Sequence, residues 1–115
     1  MDTKMTYNLS CRLFTDAKCF GPGVARLLHA VQRLHSLRAA ALSMDMAYSK
    51  AWMVIKNSEK ALGFPLLSST TGGKGGGGAS LTPEALRLLT AYDTFCAELH
   101  GAADELFRQN FSEFM

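Results

Sequence analysis

Five side chains share the outer face of one expected helix: Tyr48, Ser49, Lys50, Met53 and Lys56. Hydroxyl and lysine donors gathered at a helix N-terminus suit phosphate oxygens and the base edges of a major groove. Arg38 and Lys74 are the other cations placed to neutralise phosphates. Catalytic chemistry finds no comparable grouping, because no nucleophile–base pair and no paired carboxylates emerge. His29, His35 and His100 are scattered and read as surface or helix-end residues. Cys11, Cys19 and Cys96 form no C-x-x-C pair and have no histidine at zinc spacing, so they read as reduced thiols. No catalytic residue, metal site or cofactor is expected.

Those five residues need a helix held at a steep angle across another. From Leu37 to about Met44 an alanine-rich segment follows Ser36, a suitable N-cap. A second helix runs from about Tyr48 to Leu62 and stops at Gly63, with Pro65 two residues beyond. Counting from Leu37 as position one, the inward positions 4, 5, 8, 10, 15 and 18 are Ala40, Ala41, Met44, Met46, Ala51 and Val54. All are small or apolar, as a helix-turn-helix over 37–62 requires. Asp45 stands at the turn, where the backbone goes left-handed and glycine is favoured. Trp52 is expected to pack inside rather than to meet a ligand.

Around this pair the pattern places four more elements. Leu9, Cys11 and Leu13 alternate with Asn8, Ser10 and Arg12, which predicts a half-buried strand over 7–14. Val24, Leu27, Leu28, Val31 and Leu34 recur at three and four, which predicts a helix over 23–35. Two short strand-like pieces within 66–81 flank residues 72–78, which hold six of the ten glycines. A phosphate-cradling P-loop fails there, because Lys74 is followed by Gly75 rather than by a hydroxyl residue. A flexible linker is the ordinary meaning of such composition. The position between two strand-like pieces, directly after the second helix of the pair, favours a hairpin tip, or wing, over 66–81. Thr82-Pro83-Glu84 then starts a helix over 83–110, roughly 40 Å long. Its apolar stripe, Leu89, Tyr92, Cys96, Leu99, Ala103 and Leu106, is longer than so small a domain can cover, and a partner chain is the economical answer. A second row, Leu88, Phe95 and Ala102, widens the stripe.

Composition agrees with one packed domain over residues 1–115. Hydrophobic residues make up 48% of the chain and charged residues 19%. No apolar run approaches a membrane span and the first residues lack a signal-peptide pattern, so no membrane association and a cytoplasmic location are expected. The net charge of +2 conceals a division: residues 1–81 carry +6 and residues 82–115 carry −4. Such polarity suits a polyanion-binding body with an acidic appendage.

Three segments carry a specific resemblance. They are Met46-Ala47-Tyr48-Ser49-Lys50-Ala51-Trp52, then Leu62-Gly63-Phe64-Pro65-Leu66-Leu67, then Thr71-Gly72-Gly73-Lys74-Gly75-Gly76-Gly77-Gly78-Ala79 with Leu81-Thr82. Together they resemble the N-terminal winged-helix domain of ModE-type molybdate-responsive regulators, which is related to the LysR-type DNA-binding domain. The resemblance covers roughly residues 7 to 110. It implies a mainly α fold with a small β component, a winged helix-turn-helix with a long C-terminal dimerisation helix. It also implies a sequence-specific transcriptional regulator binding double-stranded DNA as a homodimer. Recognition helix 47–62 would lie in the major groove and the glycine-rich wing 72–78 on the adjacent backbone. The chain is similar to stand-alone members without molybdate-binding domains, so no direct molybdate binding is expected. Four departures from the pattern span five positions. Asp45 replaces the usual glycine, Ala47 a capping serine, Ser68-Ser69 a charged pair, and Arg38 a frequent serine. The alternative is a dimeric protein-interaction module of the same fold, its DNA binding weakened or lost.

Overall fold

A computed structural model describes residues 3–70 and 78–115. Along the chain come β1 (Leu13–Phe14), β2 (Lys18–Phe20), α1 (Pro22–Leu34), α2 (Leu37–Ser43), α3 (Tyr48–Leu62), β3 (Leu67–Thr70), β4 (Gly78–Leu81) and α4 (Pro83–Phe111). A single 3₁₀ turn, Ser112–Phe114, follows α4. The architecture is a winged helix-turn-helix: α1 and α2 pack beside α3, and a two-stranded hairpin follows. Among the described residues, no helix is long and apolar enough to cross a membrane.

Local chemistry sets most of the boundaries. Pro22 occupies the first turn of α1, where its missing N–H costs nothing. That helix ends at His35, whose backbone is left-handed (φ 62°) and whose N–H reaches the Val31 carbonyl at 2.7 Å. The Ser36 hydroxyl accepts from the Ala39 N–H at 3.0 Å and caps α2. Gly63, at φ 88°, closes α3 in the conformation that glycine adopts without penalty. Thr82 caps α4 by accepting from the Ala85 N–H at 3.1 Å and donates to the Pro65 carbonyl at 2.8 Å, tying this helix to the end of α3.

One apolar core serves all of these elements. Phe20, Leu27, Leu28, Val31, Ile55 and Leu66 are completely enclosed. The Tyr92 ring meets Phe20 edge-on at 5.0 Å, bringing the first turns of α4 onto the same core. Ser58 is buried among them and its hydroxyl donates to the Cys19 carbonyl, so the polar group loses nothing by burial.

The expected strand over 7–14 is confined to Leu13–Phe14, which pair antiparallel with Lys18–Phe20. Its period of two is nevertheless real. Leu9, Cys11 and Leu13 are half-buried, whereas Asn8, Ser10, Arg12 and Phe14 are exposed. The surface beneath is a helix rather than a strand. The Tyr92 hydroxyl donates to the Cys11 carbonyl at 2.7 Å, and the Tyr7 hydroxyl donates to the Asp104 carboxylate. Residues 7–11 therefore run antiparallel along α4. Helix backbone groups are already bonded within the helix and offer no ladder to a neighbouring chain.

In the hairpin, Leu67 faces Leu81, Ser68 faces Ser80, Ser69 faces Ala79 and Thr70 faces Gly78. The Ala79 N–H donates to the His35 carbonyl at 2.9 Å and fixes the hairpin to the end of α1. The glycine-rich tip and Lys74 lie outside the described residues.

Candidate nucleic-acid interface

Close approach of α2 to α3 depends on alanine. Ala40, Ala41 and Ala51 are fully buried where the two helices meet, and a longer side chain at any of them would push the helices apart. The turn between the helices bends at Asp45, whose φ is 51°. Left-handed backbone costs an aspartate more than a glycine but less than most residues. The Met46 N–H returns to the Ala41 carbonyl at 2.9 Å and closes the turn. Ala47 occupies the N-cap of α3 with extended backbone and gives no side-chain bond to the helix.

With Ala51, Ile55 and Ser58 turned inward, α3 presents a defined outer surface. Ser49, Lys50 and Lys56 are exposed, and Tyr48 and Met53 are 40% and 49% exposed. Arg38, at the start of α2, lies beside this surface with its guanidinium carbon 4.2 Å from the centroid of the Tyr48 ring. The contact joins a cation to a stacking face and bridges the two helices. Arg38, Tyr48 and Lys56 line one groove beside the hairpin, whereas Lys50 borders a second groove with Lys18, Val24 and Asn57, so the exposed residues of α3 span more than one flank of the helix. Lys74 lies outside the described residues.

Trp52 departs from its expected packing role. It is 44% exposed, one turn after Tyr48 and one turn before Lys56, because the inward row of α3 passes through 51, 55 and 58 instead. The Lys56 ammonium sits 5.6 Å from the indole centroid and 3.2 Å from the Glu59 carboxylate. Glu59 in turn accepts the Leu66 N–H at 2.7 Å. A chain of contacts thus runs from the base of the hairpin to the indole. Arg38, Tyr48, Trp52, Lys56, Ser69 and Ala79 line an open groove of about 520 Å³ between α3 and the hairpin. The signal that could have found Trp52 is its i+4 spacing from Tyr48.

The expected dimerisation row divides between two surfaces. Leu89 and Tyr92 are buried in the chain's own core, and Cys96 is half-buried against it beside Cys11. The N-terminal segment covers this row, and the Tyr7 ring reaches Phe107 at 5.1 Å. Burial first, and then a hydrogen bond with Cys96, push the Tyr92 hydroxyl up to about 12. What stays uncovered is the neighbouring row, where Phe95 is 50% and Leu106 56% exposed and Ala102 is exposed, with half-buried Leu88 and Leu99 beside them. Leu106 thus remains accessible, Leu99 and Ala103 are half-buried, and Leu89 and Tyr92 are enclosed.

Comparison with known proteins agrees with this geometry. Residues 24–86 match the bacterial regulatory helix-turn-helix protein family of lysR type. The chain is 39% identical over 89 residues to a transcriptional regulator ModE of Haemophilus influenzae, covering 77% of this chain and 33% of that protein. It is 34% identical over 102 residues to the transcriptional regulator ModE of Yersinia pestis, covering 89% of this chain and 37% of the relative. A DNA-binding transcriptional dual regulator ModE of Escherichia coli K12 is 32% identical over 102 residues, with the same shares covered. The chain spans about a third of the length of these curated relatives.

Proposed function

The chain belongs to the lysR family of bacterial regulatory helix-turn-helix proteins, and from that premise we propose that it is a homodimeric, sequence-specific DNA-binding transcriptional regulator. The observation that carries this reading is the outer face of α3. Ser49, Lys50 and Lys56 stand exposed on it, flanked by Tyr48, Met53 and Arg38, over a helix pair locked by three buried alanines. In the proposed complex α3 enters the major groove. Arg38, Lys50 and Lys56 neutralise phosphates, and Tyr48, Ser49 and Met53 approach base edges. The hairpin lies on the adjacent backbone, where Lys74 adds a cation.

Two copies join through α4. Its 29 residues extend roughly 44 Å, yet its buried residues, Ala85, Leu89 and Tyr92, all lie in the first three turns. The row of Leu88, Phe95, Leu99, Ala102 and Leu106, half-buried at Leu88 and Leu99 and exposed at the other three, advances by seven, four, three and four, the spacing of a helix–helix seam. Such a dimer gives two copies of α3 for two half-sites. Titration of labelled duplex DNA at low ionic strength tests the reading. Saturable binding that weakens steeply with added salt is expected, and failure to bind any duplex overturns it.

A further inference from the structure

We propose that Trp52 reads thymine, its indole meeting the C5-methyl group on the floor of the major groove. This rests on the DNA-binding reading above and assigns one residue of that site a specificity role. Three large side chains with apolar surface, Tyr48, Trp52 and Met53, are exposed on α3, where the other exposed residues, Ser49, Lys50, Lys56, Asn57 and Lys60, are polar or charged. Phosphate contacts made by the lysines position a duplex but carry no sequence information. The thymine methyl is the apolar group that a base pair displays in the major groove, and an apolar side chain there separates thymine from cytosine or uracil. Tyr48 is engaged by Arg38 at 4.2 Å, and Trp52, the largest apolar surface of the three, is also tied to the fold through a cation. Lys56 lies 5.6 Å from the indole centroid and 3.2 Å from Glu59, which accepts the Leu66 N–H at the foot of the hairpin. A ring restrained by such a neighbour loses less freedom when it meets a base.

The test begins with duplexes selected from a random pool by the full chain. Each thymine of the selected site is then replaced in turn by deoxyuridine, which removes one methyl group and leaves every hydrogen-bonding edge intact. At one thymine per half-site the wild type is expected to lose about fourfold in affinity, the worth of one buried methyl. In Trp52→Ala the thymine-to-uracil ratio at that position falls to one, and in Trp52→Phe part of it returns. Emission from the single tryptophan of the chain shifts when the selected duplex is added. A duplex that binds well but shows a flat deoxyuridine scan overturns the role of Trp52 and leaves DNA binding standing. So does a Trp52→Ala variant that discriminates as strongly as the wild type. If no duplex is enriched, DNA binding itself fails, and the thymine role with it.

Discussion

The lysines of α3 are not equivalent, and salt dependence separates them. Lys56 is held 3.2 Å from Glu59, so the phosphate it meets is neutralised by an ammonium whose charge is already partly offset. Lys50 is exposed and has no carboxylate within ion-pairing distance among the described residues. Each phosphate neutralised on B-DNA contributes about 0.9 to the negative slope of log K against log salt. A homodimer carries two copies, so Lys50→Ala makes the slope shallower by about 1.8. Between 50 and 200 mM salt the wild type then loses roughly twelvefold more affinity than the variant. Lys56→Ala weakens binding at low salt with a smaller change of slope, because the carboxylate of Glu59 is uncovered as the ammonium is lost. Glu59→Gln keeps an acceptor for the Leu66 N–H and frees Lys56, so the slope steepens. Fluorescence anisotropy on one duplex at five salt concentrations measures all three. An unchanged slope in Lys50→Ala, or equal changes in the two lysine variants, refutes the reasoning.

Other outcomes follow from the caps, the seam and the buried hydroxyl. Ala47→Ser supplies the side-chain cap that α3 lacks and is expected to stabilise the protomer by about 1 kcal/mol, seen as a melting midpoint higher by roughly 4 °C. Phe95→Asp puts a charge on the uncovered row of α4 and is expected to yield a folded monomer in sedimentation equilibrium; a persistent dimer means the seam lies elsewhere. Tyr92, with its hydroxyl pushed up to about 12, holds its proton more tightly folded than unfolded, where tyrosine ionises near 10. Its contribution is therefore full below about pH 10 and is lost as pH rises through about 12, and Tyr92→Phe flattens that decline in alkaline denaturation.

Punctuation by individual residues was legible in the sequence. Ser36, Gly63 and Thr82 mark helix ends through bonds made within four residues of themselves, and Pro83 through its fixed φ and missing N–H, so local spacing suffices to read them. The helix-turn-helix alanines were legible because close packing tolerates little else. Features set by a distant partner were not. Leu9, Cys11 and Leu13 alternate as a strand does, but only the folded chain reveals that the covering surface is α4, which cannot bond a strand. The same segment decides which apolar row of α4 is free, turning Leu89 and Tyr92 inward and leaving Phe95 and Leu106 outside. The exposure of Trp52 is not legible from its type, because a large aromatic side chain is more often enclosed than displayed and its exposure depends on where α2 crosses α3.

The polarity of charge gains a location from the structure. Arg38 and Lys56 share the groove beside the hairpin and Lys50 is exposed on a second flank of α3, while α4 carries Glu84, Asp93, Glu98, Asp104 and Glu105 on the element assigned to dimerisation. Asp93 is taken up by His29 of α1 at 2.7 Å, and Glu105 by Arg108 one turn along, which holds its carboxyl below the usual range.

The most direct measurement is selection of bound duplexes from a random pool by the full chain. The expected result is a two-fold symmetric site whose half-sites lie one helical turn, or a multiple of it, apart, as two α3 helices joined through α4 require. Recovery of a pool no different from the input would contradict DNA recognition, and an asymmetric site contacted by a single α3 would contradict the dimer.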